Sequence, residues 1–348
     1  MATAPSARSF QSLQAGRGIA ALIVVLFHSS LIIGADKYWG ATLLGGVFGF
    51  GFAGVEFFFV LSGFLMILVH RNDIDNNNTA AVSRYFRKRA IRIYPIYWIV
   101  TLVVFVGAVA LSKNEPYDLI SSLLLVGSTA EGILGVSWTL FHEIIFYTLF
   151  SLLLLNKRLG IFVLILWFIS CAIWFNETAP HYIFRSINLL FGFGMAAALV
   201  WTRIKMPLFW MATGAAIFFG TGFYFVFEVS SKDVSGGLEL AFGAGAAVMI
   251  AGAVKAEYVG VLRVPRVLVW LGDGSYSIYL IHYALLSVLA KVWFAAGPTS
   301  VAPAVAFCVL VATCIVTGMS VHLLIERPII RHFSQRQRSW GEAQRKVG

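Results

Sequence analysis

Two ionisable residues, Arg17 and His28, stand inside the first long apolar stretch of the sequence. A titratable group in such a stretch is costly and indicates a functional site by default. Eleven residues separate the two, close to three full turns of an α-helix, so both side chains face the same side. A neutral imidazole accepts a proton or attacks as a nucleophile, and a guanidinium binds an anion. The pair favours acid–base or group-transfer chemistry beside an anion; a histidine hydrogen-bonded to a backbone carbonyl between helices is an equally weighted alternative.

Polar side chains recur in three further apolar stretches, GVEFFFVLSGF (54–64), SWTLFHEIIFY (137–147) and LGDGSYSIYLIH (271–282). The last of these carries a serine, a tyrosine and a histidine at positions i, i+4 and i+7, which is helical spacing. Because several helices each contribute one polar face, the sequence predicts a buried cavity between them. The candidate residues on these faces are Glu56, Ser62, Trp138, Glu143, Tyr279 and His282.

The densest basic segment is the predicted loop RYFRKRAIRIYPIYW (84–98). Its Arg89 and Arg92 are three residues apart and share a face that leads into a group of aromatic residues. Basic residues beside a membrane span ordinarily anchor the chain at anionic lipid headgroups. Arginines next to aromatic rings also suit the phosphates and adenine of a nucleotide. The residues by themselves leave both interpretations open.

Composition identifies the class of protein. The residues A, V, I, L, M, F, W, Y and C make up 59% of the 348 residues, 32 more are glycine, and 12% are charged. Soluble domains have about 45–50% apolar and about 25% charged residues, so a soluble fold would expose large apolar patches. The chain is too apolar for disorder and has too few cysteines for a disulfide scaffold. Basic loops explain the net charge of +10, and no nucleic acid partner is expected.

The apolar runs predict an all-α, polytopic integral-membrane bundle of about ten transmembrane helices, since each crossing needs about 20 helical residues. A shorter run, 118–126, is predicted to be an interfacial or re-entrant piece. Twenty of the 26 Lys and Arg fall on one side of this topology and three on the other, which predicts that both termini are cytoplasmic. We expect a single integral-membrane domain over 1–348 with a short cytoplasmic tail, 327–348. The predicted spans are 17–34, 45–69, 93–111, 137–155, 159–175, 184–201, 206–227, 237–254, 275–295 and 302–325.

Six segments resemble the acyltransferase-3 family of integral-membrane acyltransferases, in the order and topological positions of that family. The resemblance covers nearly the whole chain, with SWTL standing where the family has an SWSL-type sequence. It implies ten core helices and transfer of an acyl group from acyl-CoA to a glycan hydroxyl. The matching segments are RGIAALIVVLFH (17–28), GVEFFFVLSGF (54–64), RKRAIRIYPIYW (87–98), SWTLFHEIIFY (137–147), LGDGSYSIYLIH (271–282) and ERP (326–328).

The resemblance also implies roles for individual residues. His28 is the candidate general base for the sugar hydroxyl or, alternatively, the nucleophile that accepts the acyl group. Glu143 would orient His28 or bind a sugar hydroxyl. Arg17, a further catalytic candidate, would hold the CoA phosphates together with Arg89 and Arg92. The candidate substrate-binding residues are Glu56, Ser62, Trp138, Tyr279 and His282.

The implied donor is acetyl-CoA, with succinyl or another short acyl group left open, and no metal is expected. The acceptor would be an exopolysaccharide or other surface glycan, or its lipid-linked precursor, at a bacterial cytoplasmic (inner) membrane. The family also has members with an extracytoplasmic esterase-like domain, and this chain is expected to be a stand-alone member. A secondary transporter and a lipid-binding scaffold are the alternatives; the sequence shows no internal repeat that would favour a transporter. Oligomeric state is not predicted.

Overall fold

The computed structural model describes residues 10–76, 80–110, 119–126, 132–175, 181–229, 235–297 and 301–333. These ranges are almost entirely helical and contain no strand. The α-helices are α1 (Gln11–Gly34), α2 (Ala53–Asp75), α3 (Ala80–Ala110), α4 (Leu119–Leu124), α5 (Trp138–Leu155), α6 (Lys157–Ile173), α7 (Leu189–Val200), α8 (Pro207–Glu228), α9 (Gly236–Tyr258), α10 (Arg266–Asp273), α11 (Ser275–Ala295) and α12 (Pro303–Val321). Short 3₁₀ segments lie at Leu44–Phe50, Tyr182–Phe184, Ser186–Asn188 and Trp201–Arg203, and a π-helical turn, His322–Glu326, follows α12.

The predicted spans fall on these helices. Nine helical segments within the described ranges are long and apolar enough to cross a membrane, and nine of the ten predicted spans coincide with them. The remaining prediction, 159–175, coincides with α6, which has 17 residues, at the lower limit of about 17 for a crossing. The predicted fold class, an all-α polytopic membrane bundle, is therefore confirmed.

The basic segment at 84–92 is not the loop that was predicted. It belongs to α3, which begins at Ala80 and continues through Pro95. Before that proline the segment contains neither glycine nor proline, and arginine, lysine and alanine are all good helix formers. The arginines are therefore held on a rigid helix rather than on a flexible connection.

Helices α2 and α7 pack closely because glycines face the neighbouring backbone. A Cβ atom at Gly63 would overlap the carbonyl oxygen of Phe191, and one at Gly194 would overlap the carbonyl oxygen of Val60. Between membrane helices, where lipid is as apolar as the side chains, such close approach supplies much of the packing energy. The reciprocal glycines bring α2 and α7 together along the wall of the site described below.

Substituting alanine for Gly63 or Gly194 is expected to lower the thermal stability of the purified protein. The added methyl group forces the two backbones apart, and overpacking of this kind typically costs about 1–3 kcal/mol. Gly220 in α8 is the matched control, since no atom lies within 4 Å of a Cβ built there. Thermal unfolding in detergent should separate Gly63→Ala and Gly194→Ala from Gly220→Ala; equal midpoints for all three would contradict this packing.

Contacts between helix ends define two ends of the bundle. The amides of Gln11 and Ser12, at the start of α1, donate to the carboxylate of Glu257, at the end of α9. Lys157, at the start of α6, bonds to Asp75, at the end of α2, over 2.6 Å. We call this the basic end. At the far end, where α1 and α11 finish, the ring of Trp39 lies 5.8 Å from that of Trp293.

The short helix α4 corresponds to the piece predicted at 118–126, of which residue 118 lies outside the described ranges. It has six residues, too few to span a bilayer, as predicted. Its last carbonyls accept hydrogen bonds from side chains of α3: Tyr97 Oη donates to Ser122 O over 2.6 Å and Trp98 Nε1 to Leu123 O over 2.8 Å. These aromatic donors satisfy carbonyls that a helix end leaves unpaired.

The orientation of the bundle in the membrane stays a prediction. Arg8, Lys113, Lys232 and the tail from residue 334 onward, all used in the charge count, lie outside the described residues. The positive-inside rule places the basic end in the cytoplasm.

Cysteines introduced at Ser83 and Lys37, both exposed, are therefore expected to react with a membrane-impermeant maleimide from opposite sides. The three native cysteines are free, so the exposed Cys308 is first replaced by serine. In sealed cells Lys37→Cys should be labelled and Ser83→Cys should be labelled only after permeabilisation. The reverse order would invert the topology.

Candidate active site

A cavity of about 980 Å³ opens at the basic end and enters the bundle between α1, α2, α3, α5 and α11. One face of α2 follows it from Asn72 inward to Val55. These residues are seventeen positions apart, which at 1.5 Å per residue is a depth of about 26 Å. The cavity is thus deep and narrow and is open toward the side that the sequence predicts to be cytoplasmic.

The wall of the cavity is strongly cationic. Glu143 is the carboxylate among its charged lining residues, and the charges of Arg89, Arg92 and Arg17 all act on it. Since the cations outnumber the carboxylate, the described part of the cavity favours an anionic ligand. The lining cations are Arg17, Arg71, Arg89, Arg92 and Lys255.

Hydrogen bonds between α2, α3 and α5 hold the tyrosine ring against which Arg89 packs. The guanidinium of Arg89 lies 5.3 Å from the ring centroid of Tyr147. The hydroxyl of Tyr147 is 3.1 Å from Ser62 Oγ, and Tyr85 Oη donates to the Tyr147 carbonyl over 3.0 Å. Ser62, a predicted substrate-binding residue, lines the cavity and also holds this tyrosine in place.

Three buried polar atoms on lining residues have no hydrogen-bond partner. They are Arg89 Nε, Ser275 Oγ and Gln14 Oε1. Buried polar atoms in proteins are nearly always bonded, so each unpaired one needs an explanation. The three atoms lie on residues that line the cavity but are themselves buried, so a bound ligand reaches them only if these side chains move.

Thr139 and Tyr279 are the deepest lining residues on α5 and α11, and with Phe58 of α2 they form what we call the floor. The ring of Phe58 meets the ring of Tyr279 edge-on, with centroids 5.9 Å apart. The Tyr279 hydroxyl lies 3.1 Å from Thr139 Oγ1 and also donates to Val136 O over 3.4 Å. These contacts attach the start of α5 to α11. The floor separates the cavity from the two histidines described next.

A pair of histidines, His28 and His282, lies behind the floor. His282 Nε2 is 3.2 Å from His28 Nδ1, and the ring of His282 is 5.6 Å from that of Tyr279. Neither histidine is among the described residues that line the cavity. Arg17 does line it, and Arg17 and His28 are eleven residues apart on α1, about 16 Å along the helix axis. The floor therefore stands between the predicted phosphate-binding arginine and the predicted catalytic histidine.

The hydrogen bonds of the pair assign its protons. His282 Nδ1 bonds to the carbonyl oxygen of Tyr279 and so carries a proton. In a neutral ring Nε2 then has a free lone pair and accepts. His28 Nδ1, placed between His282 Nε2 and the Val24 carbonyl oxygen at 3.1 Å, is the donor. The remaining lone pair of His28 is on Nε2, so this atom is available as a base or nucleophile.

The far side of His28 is accessible. His28 is half-buried while His282 is fully buried. The ring of Tyr283, which is 48% exposed, meets the His28 ring edge-on at 5.2 Å. His28 thus keeps some exposed surface, and His282 is its internal partner rather than a surface residue.

Two other predicted substrate-binding residues lie outside the described lining of the cavity. Glu56 is buried near the start of α2, and its Oε2 has no hydrogen-bond partner. Trp138 packs edge-on against His142 with ring centroids 5.7 Å apart. His142, to which the sequence analysis assigns no role, bonds through Nδ1 to Asn188 Oδ1 over 2.8 Å.

A buried polar cluster joins α11 to the end of α12. Ser277 Oγ donates to Glu326 Oε2 over 2.7 Å, and His322 Nδ1 lies 2.8 Å from the same oxygen. Residues 322–326 form the π-helical turn, a feature often found at functional sites. The cluster lies beside the cavity, since the charge of Glu326 acts on Arg17.

The structure thus brings Arg17, Arg89, Arg92 and Glu143 together and separates His28 from them. Glu143 is predicted to orient His28 or to bind a sugar hydroxyl. It lies in the arginine cluster, and the described hydrogen-bond partners of His28 are Val24 and His282. Two features were missed by sequence reasoning: the bond between the two histidines, and the floor. No group of three His, Cys, Asp or Glu within the described ranges could hold a metal ion.

Known proteins provide an independent comparison. The chain matches the family described as an acyltransferase domain (Acyl_transf_3) over residues 10–321. It is 31% identical over 316 residues to the exopolysaccharide production protein ExoZ of Rhizobium meliloti, covering 86% of this chain and 95% of ExoZ. It is 26% identical to the acyltransferase MdmB of Streptomyces mycarofaciens, covering 94% and 93% of the two chains. The peptidoglycan O-acetyltransferase OatA of Listeria monocytogenes is 25% identical over 70% of this chain and 46% of OatA. No solved structure matches.

A multi-pass helical bundle that matches an acyltransferase domain over most of its length is a membrane-bound acyltransferase. The chain belongs to the acyltransferase-3 family, as the six sequence segments predict. Membership of an enzyme family sets aside the transporter and scaffold alternatives.

Proposed function

We propose that this protein transfers an acetyl group, or another short acyl group, from cytosolic acyl-CoA to a hydroxyl of a surface glycan or its lipid-linked precursor. The observation that carries the proposal is a cationic cavity that ends on the floor, with the histidine pair directly behind it. The arrangement suits a polyanionic donor that enters from one side and an acceptor that meets His28 from the other.

The donor would lie along the cavity with its phosphates toward the cations. Arg71 and Lys255 stand near the mouth, and Arg17, Arg89 and Arg92 stand deeper. Arginine forms bidentate, charge-assisted bonds to phosphate. The thioester end would then reach the floor.

In the direct route, His28 Nε2 takes the proton of the acceptor hydroxyl as its oxygen attacks the thioester carbon. The C–O bond of the ester forms, the C–S bond breaks, and the proton passes to the departing thiolate to give free CoA. His282, bonded to His28 Nδ1, holds the ring in the tautomer that leaves Nε2 unprotonated. In the alternative route, His28 Nε2 attacks the thioester carbon, an N–acyl bond forms, and the C–S bond breaks to release the CoA thiolate. The acceptor oxygen then takes the acyl group from Nε2, and the hydroxyl proton passes to the thiolate to give free CoA.

Both routes require the floor to open, because Tyr279 stands between the cavity and the histidines. Glu143 would keep the arginine cluster ordered before the donor binds. The names of ExoZ and OatA support a glycan acceptor, and the basic asymmetry of the loops supports insertion in a bacterial inner membrane with the donor cavity toward the cytosol.

The test uses full-length protein in lipid nanodiscs with [¹⁴C]acetyl-CoA and glycan-bearing membranes from the source cells. Label is expected to move into an alkali-labile ester on the glycan, with one free thiol released per ester. Release of thiol without glycan labelling would show a hydrolase. Absence of both, in protein that binds acetyl-CoA, would overturn the proposal.

A further inference from the structure

The floor differs chemically from the rest of the cavity. Phe58, Thr139 and Tyr279 carry no charge, and the charged lining residues stand on other helices or nearer the mouth. Phosphates have no partner here, whereas a small apolar group does. The floor is also the part of the cavity next to the histidine pair, with 5.6 Å between the rings of Tyr279 and His282.

We infer that the floor is an acyl-binding subsite, and that Phe58 and Tyr279 make the enzyme select an acetyl group over longer acyl groups. The inference rests on the proposed function, because it takes the thioester end of acyl-CoA to lie at the floor. It adds which residues select the acyl group, and by what physical means.

The means is a barrier that opens only when its hydrogen bonds break. Thr139 Oγ1 donates to Val136 O over 3.0 Å. The single proton of the Tyr279 hydroxyl is within reach of Thr139 Oγ1, at 3.1 Å, and of Val136 O, at 3.4 Å. Tyr279 is buried, with Phe58 against its ring on one side and His282 on the other. The ring therefore has little freedom to turn without breaking these bonds.

A floor that opens only slightly discriminates by the length of the acyl chain. An acetyl group needs only a small displacement of the two rings to come within reach of His28, whereas each further methylene has to be placed in space that the rings already fill. In apolar enzyme pockets one methylene is worth about 10–200-fold in specificity. We expect kcat/KM of the wild type to fall at least tenfold between propionyl-CoA and butyryl-CoA.

The experiment compares acetyl-, propionyl-, butyryl- and hexanoyl-CoA with wild-type and variant protein in nanodiscs, measuring thiol release and the mass of the acylated glycan. Phe58→Ala removes one ring and is expected to raise the butyryl-to-acetyl ratio of kcat/KM at least tenfold. Phe58→Trp fills the space further and should lower the propionyl-to-acetyl ratio. Phe58→Leu replaces Phe58→Ala if the latter does not fold, with a smaller rise expected.

Leu65→Ala is the matched control. Leu65 lines the same cavity on the same face of α2, seven residues nearer the mouth than Phe58, so its truncation should leave the acyl ratios unchanged. An equal rise for Leu65→Ala and Phe58→Ala would overturn the inference, as would unchanged ratios in a folded, donor-binding Phe58→Ala. A wild type that acylates no glycan from any donor would instead refute the proposed function.

Discussion

Replacing His28 with glutamine abolishes acyl transfer while leaving donor binding intact: this is the largest effect expected of a single substitution. Glutamine preserves a hydrogen bond toward His282 but is not a base or nucleophile near neutral pH. Loss of general-base catalysis typically lowers the rate by about 10²–10⁴-fold. Because His28 lies behind the floor and outside the lining of the donor cavity, calorimetric titration should give the same Kd for acetyl-CoA as the wild type.

His70→Gln provides the control for loss of an imidazole from a helix of the bundle. His70 bonds to Asp73 near the end of α2, at 3.2 Å, and is not among the described lining residues. Transfer should persist in this variant. A folded His28→Gln protein with near wild-type turnover would remove His28 from the chemistry and direct attention to His282 and Glu143.

The second large effect is expected on donor binding when Arg89 or Arg92 is replaced. Arg89→Ala and Arg92→Ala should each raise the KM for acyl-CoA with a smaller change in kcat, because they remove charge-assisted bonds to the donor phosphates. Such bonds contribute about 1.5–3 kcal/mol each, which corresponds to about 10–150-fold in affinity. Lysine at either position should rescue only part of the loss, since an ammonium offers one point charge in place of a planar fork.

Lys88→Ala controls for the removal of charge from the same helix. Lys88 is exposed and is not among the described residues that line the cavity, so its variant should keep the wild-type KM. Should Arg89→Ala and Arg92→Ala show normal KM while the amount of inserted protein falls, the arginines would be topological anchors. Raising the salt concentration should weaken donor binding to the wild type, since the proposed contacts are ionic.

Much of the fold could be predicted from the sequence because few backbone structures can cross a bilayer. The predicted span 275–295 matches α11, Ser275–Ala295, at both ends. Gly274 interrupts the helix before it, and Gly297, with φ of +83°, follows it closely. Such local signals, together with the length of a crossing, determine where helices begin and end.

The arginine cluster was predictable for a related reason. Arg89 and Arg92 are on one helix face, and family resemblance connects them with Arg17. Residues 84–92 form a helix and not the predicted loop. Because a helix is rigid, it fixes the spacing between Arg89 and Arg92.

The histidine pair and the floor could not be predicted in the same way. Helical spacing shows which residues of one helix share a face, but not how deep each helix sits relative to another. The depth of α11 follows from α10, where a Cβ on Gly272 would overlap the carbonyl oxygen of Gln14 in α1. Because α10 packs closely on α1, His282 of the following helix lies at the same depth in the bundle as His28. The sequence pattern of either segment alone does not predict this depth.

The π-helical turn at the end of α12 has a consequence for how the length of this chain can vary. A π-turn contains one residue more than an α-helical turn, and each residue of an α-helix rotates the chain by about 100°. Because the π-turn makes nearly the same rotation with one residue more, deleting Leu324, which is 76% exposed, would restore an ordinary helix with Glu326 still facing Ser277. One residue can therefore be lost from the π-turn while Gly318 stays packed against Ile278 and Glu326 stays bonded to Ser277. The same deletion within the α-helical part of α12 would rotate everything beyond it by about 100°.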